Sequence, residues 1–107
     1  MANEAVVIMT TVDSEELARS LAASLLEGGL AACVQQAPVL SRFRWEGKLE
    51  EGREILLLVK TSAEAAPAAV RLIEERHGYD VPEVLVLPAT GGSRPYLEWI
   101  AAETRER

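Results

Sequence analysis

Four short runs along the chain are apolar at consecutive positions: Val6-Val7-Ile8-Met9, Leu30-Ala31-Ala32-Cys33-Val34, Ile55-Leu56-Leu57-Leu58-Val59 and Val84-Leu85-Val86-Leu87. Side chains alternate between the faces of a strand, so such runs present apolar groups on both sides of a sheet. Between them the period changes. Leu17, Ala18, Leu21, Ala22, Leu25 and Leu26 recur at helical intervals, after a capping-box spacing of Asp13 and Glu16 and before Gly28-Gly29. A second helix is predicted over about Ala66 to His77, capped by Thr61 or Ser62, with Pro67 in its first turn and Gly78 ending it.

The second strand is predicted from about Leu30 to Gln36, with Pro38 as its break. From Val39 the odd positions Val39, Ser41, Phe43 and Trp45 alternate with Arg42, Arg44 and Glu46. A Gly47 turn and a return from Lys48 to Lys60 complete a long hairpin. A fourth strand follows from about Glu83 to Pro88, then a Gly91-Gly92 turn and a short helix marked by Tyr96, Leu97, Trp99 and Ile100. The order β-α-β-β-α-β plus a C-terminal helix is the α+β, split-βαβ or ferredoxin-like plan, expected as one domain over residues 1–107. Two long helices cover one face of a four-stranded sheet. The other apolar face needs a cover of its own, and self-association through the sheets is the expectation.

Composition narrows the field. The 107 residues are 49% hydrophobic, enough for one core that buries about two thirds of the unfolded surface. The longest apolar stretch falls well short of the roughly 20 residues of a membrane span, and Met1-Ala2-Asn3-Glu4 lacks the basic start and apolar core of a secretory signal. One cysteine, Cys33, precludes an internal disulfide and any Cys-x-x-Cys motif, which agrees with a reducing cytoplasmic setting. A net charge of −6 and scattered basic residues argue against nucleic acid, which needs a basic stripe, and the first strand has no stacking aromatics. An acyl phosphatase needs an arginine in the loop after the first strand and an asparagine to hold water. That loop is Thr10-Thr11-Val12-Asp13-Ser14, and the only asparagine is Asn3. No nucleophile, base and orienting group occur together, so an enzyme is not expected.

Five blocks carry a resemblance: Leu30-Ala31-Ala32-Cys33-Val34; Phe43-Arg44-Trp45-Glu46-Gly47; Glu54 with Lys60-Thr61; His77-Gly78-Tyr79-Asp80-Val81-Pro82-Glu83-Val84; and Gly92 with Tyr96-Leu97-Glu98-Trp99. In order and spacing, from about Ala5 to Thr104, the chain resembles the CutA divalent-ion-tolerance proteins. The resemblance implies a ferredoxin-like protomer, a homotrimer built by edge-strand pairing, and an association with copper and divalent-metal tolerance. The chain departs from the family pattern at Phe43, Gln35 and Gly78, where tyrosine, asparagine and proline are usual. In copper-binding members the implied ligands are a first-strand cysteine and a histidine pair. Thr10 and Arg76 stand at those places here and leave His77 alone, which predicts only weak binding of copper(II) or another divalent cation, since one imidazole makes no tight site.

The candidate residues have more than one reading. His77 is a metal ligand, caps the end of its helix, or makes an acid-base or anion contact. Cys33 lines a pocket, or fills a strand as a small hydrophobe. Trp45 and Trp99 anchor an interface or stack on a ligand. Tyr79 and Tyr96 present polar tips that suit a hydrogen bond across a subunit boundary. Glu54 and Lys60, six residues apart, point to the same face, as pocket residues or members of ion pairs. Together with Arg94 these are the candidate lining of inter-subunit pockets. Three functions follow: a trimeric metal-response protein; a sensor of small molecules or anions in inter-subunit clefts, like the nitrogen-regulatory trimers; or a trimer that scaffolds another protein.

Overall fold

The computed structural model describes residues 4–105; the outermost residues of the expected 1–107 domain, including the N-terminal Met1-Ala2-Asn3, lie outside them. The elements run β1 (Ala5–Val12), α1 (Glu15–Glu27), β2 (Cys33–Trp45), β3 (Lys48–Ser62), α2 (Ala66–Arg76), β4 (Val84–Pro88) and α3 (Arg94–Glu103). The four strands form one antiparallel sheet in the order β2-β3-β1-β4, which is the ferredoxin-like arrangement. No helix among the described residues is long and apolar enough to cross a membrane.

Register assigns the faces. Ile8 lies opposite Val59 and Thr10 opposite Leu57, so the even positions of β1 and the odd positions of β3 share one side. There Val6, Ile8, Val12, Leu57 and Val59 pack with Ala18, Leu21 and Leu25 of α1 and Ala66, Ala69 and Ile73 of α2 to form the core. Fully burying a leucine there contributes about 2–3 kcal/mol. Met9, Leu56 and Leu58 occupy the other side, half-buried, beside Leu85 and Leu87, which are 55% and 41% exposed. Contacts of α3 with β1 and β3 bring it to that side, where it covers part of the sheet and leaves the remainder open.

Local chemistry sets the boundaries and corrects several expectations. Ser14, rather than Asp13, caps α1: its Oγ accepts from the N–H of Leu17 at 3.1 Å. Helix α1 ends at Gly28 and Gly29, the latter at φ 70, where the N–H of Leu30 returns to the carbonyl of Leu25 at 2.9 Å. Pro67 sits in the first turn of α2, as its missing N–H demands. Ser62 accepts from the N–H of Ala65 one turn ahead of that helix, and α2 stops one residue short of His77. The largest difference concerns β2, which starts at Cys33 and runs through Pro38 without interruption. Its final pair, Trp45 and Lys48, is closed by Glu46 and Gly47 at φ 50 and 81, a two-residue type I′ turn that makes this pair a hydrogen-bonded one. Counting back by twos, Pro38 turns its nitrogen outward, away from β3, so the ladder loses nothing.

Candidate functional site

The ladder between β1 and β3 ends at Val12 and Ile55, whereas β2 and β3 continue together to Trp45 and Lys48. The hairpin therefore extends past the sheet as a two-stranded arm. Between this arm and the loop after α2 lies a groove of about 640 Å³, whose walls include Phe43, Trp45, Glu54, Tyr79, Asp80 and Glu83. Phe43 and Trp45 share a face of β2 by register and are 45% and 43% exposed.

His77 and Tyr79 fasten the loop. The backbone leaves α2 at His77 in an extended conformation, which aims the imidazole at β1 and not at the helix carbonyls. Its Nε2–H donates to the carbonyl of Thr11 at 2.7 Å, and its Nδ1 accepts a longer bond, 3.3 Å, from the N–H of Tyr79. A carbonyl only accepts, so these two partners fix the Nε2–H tautomer. The His77 and Tyr79 rings lie 4.8 Å apart at 57°. The phenol of Tyr79 donates to Glu54 Oε2 at 2.8 Å. Burial, then that hydrogen bond and the negative charges of Glu54 and Asp13, push the phenol well above its ordinary range. The hydroxyl of Thr11 donates a long bond, 3.4 Å, to Glu83 Oε1.

The candidates separate into two groups. Trp45, Glu54 and Tyr79 come together at the groove, with His77 behind the loop. Cys33 and Lys60 are register partners at the opposite end of β3, where the Lys60 Nζ lies 5.8 Å from the centre of the Tyr96 ring and Tyr96 stacks on Trp99 at 5.5 Å. Arg94 turns outward to an exposed pair with Glu98 at 3.5 Å. The side-chain periodicity placed Glu54 and Lys60 on one face. It carries no information about the distance between the groups they belong to. Thr11, Asp80 and Glu83 line the groove without having been singled out. The alternation of β1 and β4 was the available signal for Thr11 and Glu83, since Thr10 pairs with Val84 and the next pair falls on the same open face.

The positions that the resemblance implied for metal diverge. Thr10 is fully buried under the helices, and its Oγ1 has no hydrogen-bond partner. Arg76 reaches across to α1 and donates to the hydroxyls of Ser24 and Ser20 at 2.8 and 2.7 Å, away from His77. Among the described residues no three His, Cys, Asp or Glu side chains are grouped to hold a metal ion.

Comparison with known proteins places this geometry in a family. The family model described as CutA1 divalent ion tolerance protein matches residues 6–103. The divalent-cation tolerance protein CutA of Thermus thermophilus is 46% identical over 99 residues, covering 92% of this chain and 96% of that protein. The chloroplastic CutA protein of Arabidopsis thaliana is 42% identical over 101 residues, covering 94% of this chain and 56% of that longer protein. The structure of CutA1 from Oryza sativa superposes with a TM-score of 0.91 at 40% identity, covering 97% of this chain and 96% of the rice chain. For the Thermus thermophilus protein the TM-score is 0.90 at 43% identity, with 94% and 99% covered. With the family model, the sequence identities and the overall fold all in agreement, the chain belongs to the CutA1 divalent ion tolerance family.

Proposed function

We propose that this CutA protein acts as a homotrimer in divalent-cation tolerance, packing its open sheet faces together and binding copper(II) or another divalent cation weakly. The observation that carries the assembly is the open face itself. Met9, Leu56, Leu58, Leu85 and Leu87 form a contiguous apolar area beside an arm that exposes Phe43 and Trp45, more than a lone protomer leaves in water. His77 is the principal protein ligand in this reading. With Nε2–H held by the Thr11 carbonyl, Nδ1 keeps a lone pair whose present partner is the long bond from Tyr79, and a backbone carbonyl behind the imidazole is the usual support of a metal-bound histidine. A single nitrogen that must first lose an N–H partner supports weak capture. The reading is of a binding protein and not an enzyme, and the one cysteine, unpaired, suits a cytoplasmic setting.

A second reading draws on the groove. Its volume suits a small molecule, and its aromatic walls suit a planar one. Light scattering at micromolar concentration tests the assembly, with a trimer mass expected and a monomer mass against it. Titration with copper(II), zinc(II) and nucleotides separates the rest. Weak copper binding lost in His77→Ala supports the metal reading, submicromolar affinity or unchanged binding in the variant contradicts it, and saturable nucleotide binding favours the second.

A further inference from the structure

Glu54 and Lys60 both project from the open face of β3, in step with Leu56 and Leu58. Both are half-buried before any partner arrives. One carboxylate oxygen of Glu54 is taken by the Tyr79 hydroxyl, and the Lys60 ammonium faces the Tyr96 ring; neither has an ion-pair partner among the described residues. Six residues separate them, about 20 Å at the strand rise of roughly 3.3 Å per residue, so they cannot meet within one chain. Packing of the open face removes the remaining water from both, and a charge buried without a partner is strongly destabilising. The other acids beside the groove are Glu83, already the acceptor of the Thr11 hydroxyl, and Asp80, which is exposed on the loop, and Lys48 and Glu50 belong to the exposed arm tip. The face thus has an acidic end and a basic end, each lacking what the other supplies.

We propose that Lys60 of each protomer pairs with Glu54 of the next, so that three identical ion pairs close the trimer as a head-to-tail ring. The inference rests on the trimeric reading above and names the contact that sets its direction. Lys60 brings with it Tyr96 and Trp99, stacked and partly exposed, which fill the space between Phe43, Trp45 and Tyr79 of the neighbour. The groove is complete only when a second copy occupies it. A ring of this kind uses two different patches on every subunit and is finite because the rotation closes after three.

Two experiments test the pairing. In a Cys33→Ser background, which removes the thiol directly opposite Lys60, the paired substitutions Glu54→Cys and Lys60→Cys are joined with a short bis-maleimide and resolved on a denaturing gel. A covalent trimer is expected. Covalent dimers alone, or no inter-chain product from a sample that light scattering shows to be trimeric, overturn the pairing while leaving the trimer intact; a monomeric wild type overturns the trimer itself. In the second experiment Glu54→Lys and Lys60→Glu each raise the trimer dissociation constant by about tenfold or more, as expected for close, desolvated charge pairs. The double reversal restores it. Additive losses in the double reversal, with Glu54→Gln retaining a folded circular-dichroism spectrum, count against the contact.

Discussion

The hydroxyl of Tyr79 meets Glu54 one residue beyond the last rung that β1 shares with β3, at 2.8 Å. The loop after α2 is thereby tied to the root of the arm, at the point where the sheet stops supporting it. Tyr79→Phe removes that tie and is expected to cost about 1.5–3 kcal/mol, the range for a hydrogen bond to a charged acceptor. The phenol is held protonated in the folded chain, above its ordinary value of 10.0. Its contribution is therefore intact below pH 10 and is lost as the pH rises through the folded value, because the unfolded chain releases the proton first. Denaturant unfolding between neutral pH and pH 11 should show a steeper alkaline loss in the wild type than in the variant; parallel curves would remove Tyr79 from the account.

Thr10 places a hydroxyl with no partner inside the helix-side core. Thr10→Val keeps the shape and deletes the orphan, so stability should rise by about 1 kcal/mol. Thermal unfolding checks it. An unchanged or lower melting temperature means that the hydroxyl has a partner, such as a buried water.

At the arm tip Glu46 holds φ 50, a left-handed backbone that suits glycine or asparagine. Glu46→Gly or Glu46→Asn should therefore stabilise the hairpin by about 0.5–1 kcal/mol. Destabilisation in both variants would show that the Glu46 side chain makes a contact worth more than the strain.

Two leucines separate folding from assembly. Leu57→Ala, on the helix side, should lower protomer stability by about 2–5 kcal/mol. Leu85→Asp, on the open side, should leave the circular-dichroism spectrum folded and shift the mass to a monomer. A trimeric Leu85→Asp would mean that this part of the face is solvent-facing in the assembly. Trp45→Ala should weaken association by about 2 kcal/mol, the scale of an aromatic anchor.

Where one periodicity dominates, the sequence was enough to read. The helix face of α1 and the alternation of the arm are both present in the structure. Pro38 was misleading because proline excludes only the paired side of a strand, and which side it takes depends on a turn eight residues away. The cap of α1 went to Ser14 and not Asp13, since capping is decided by the residue whose backbone stays extended; two adjacent polar residues look alike in sequence. The partners of His77 were hidden for a different reason. Its direction follows from how the chain leaves α2, so neither the Thr11 carbonyl nor the Tyr79 N–H that it meets is a side-chain signal. The two-ended character of the open face likewise appears only when residues from β2, β3 and α3 are set at their distances.

Pro38 has a further effect on how strands can add to the borders of the sheet. Its outward nitrogen leaves the free edge of β2 without one donor in the middle of its length, and the opposite edge, β4, is five residues long and ends at Pro88. A strand laid along either border meets a gap before it can form a long ladder. The borders of this sheet accept a short, registered neighbour and discourage an indefinite stack, so a chain with so much exposed apolar surface is steered toward counted particles and away from fibres.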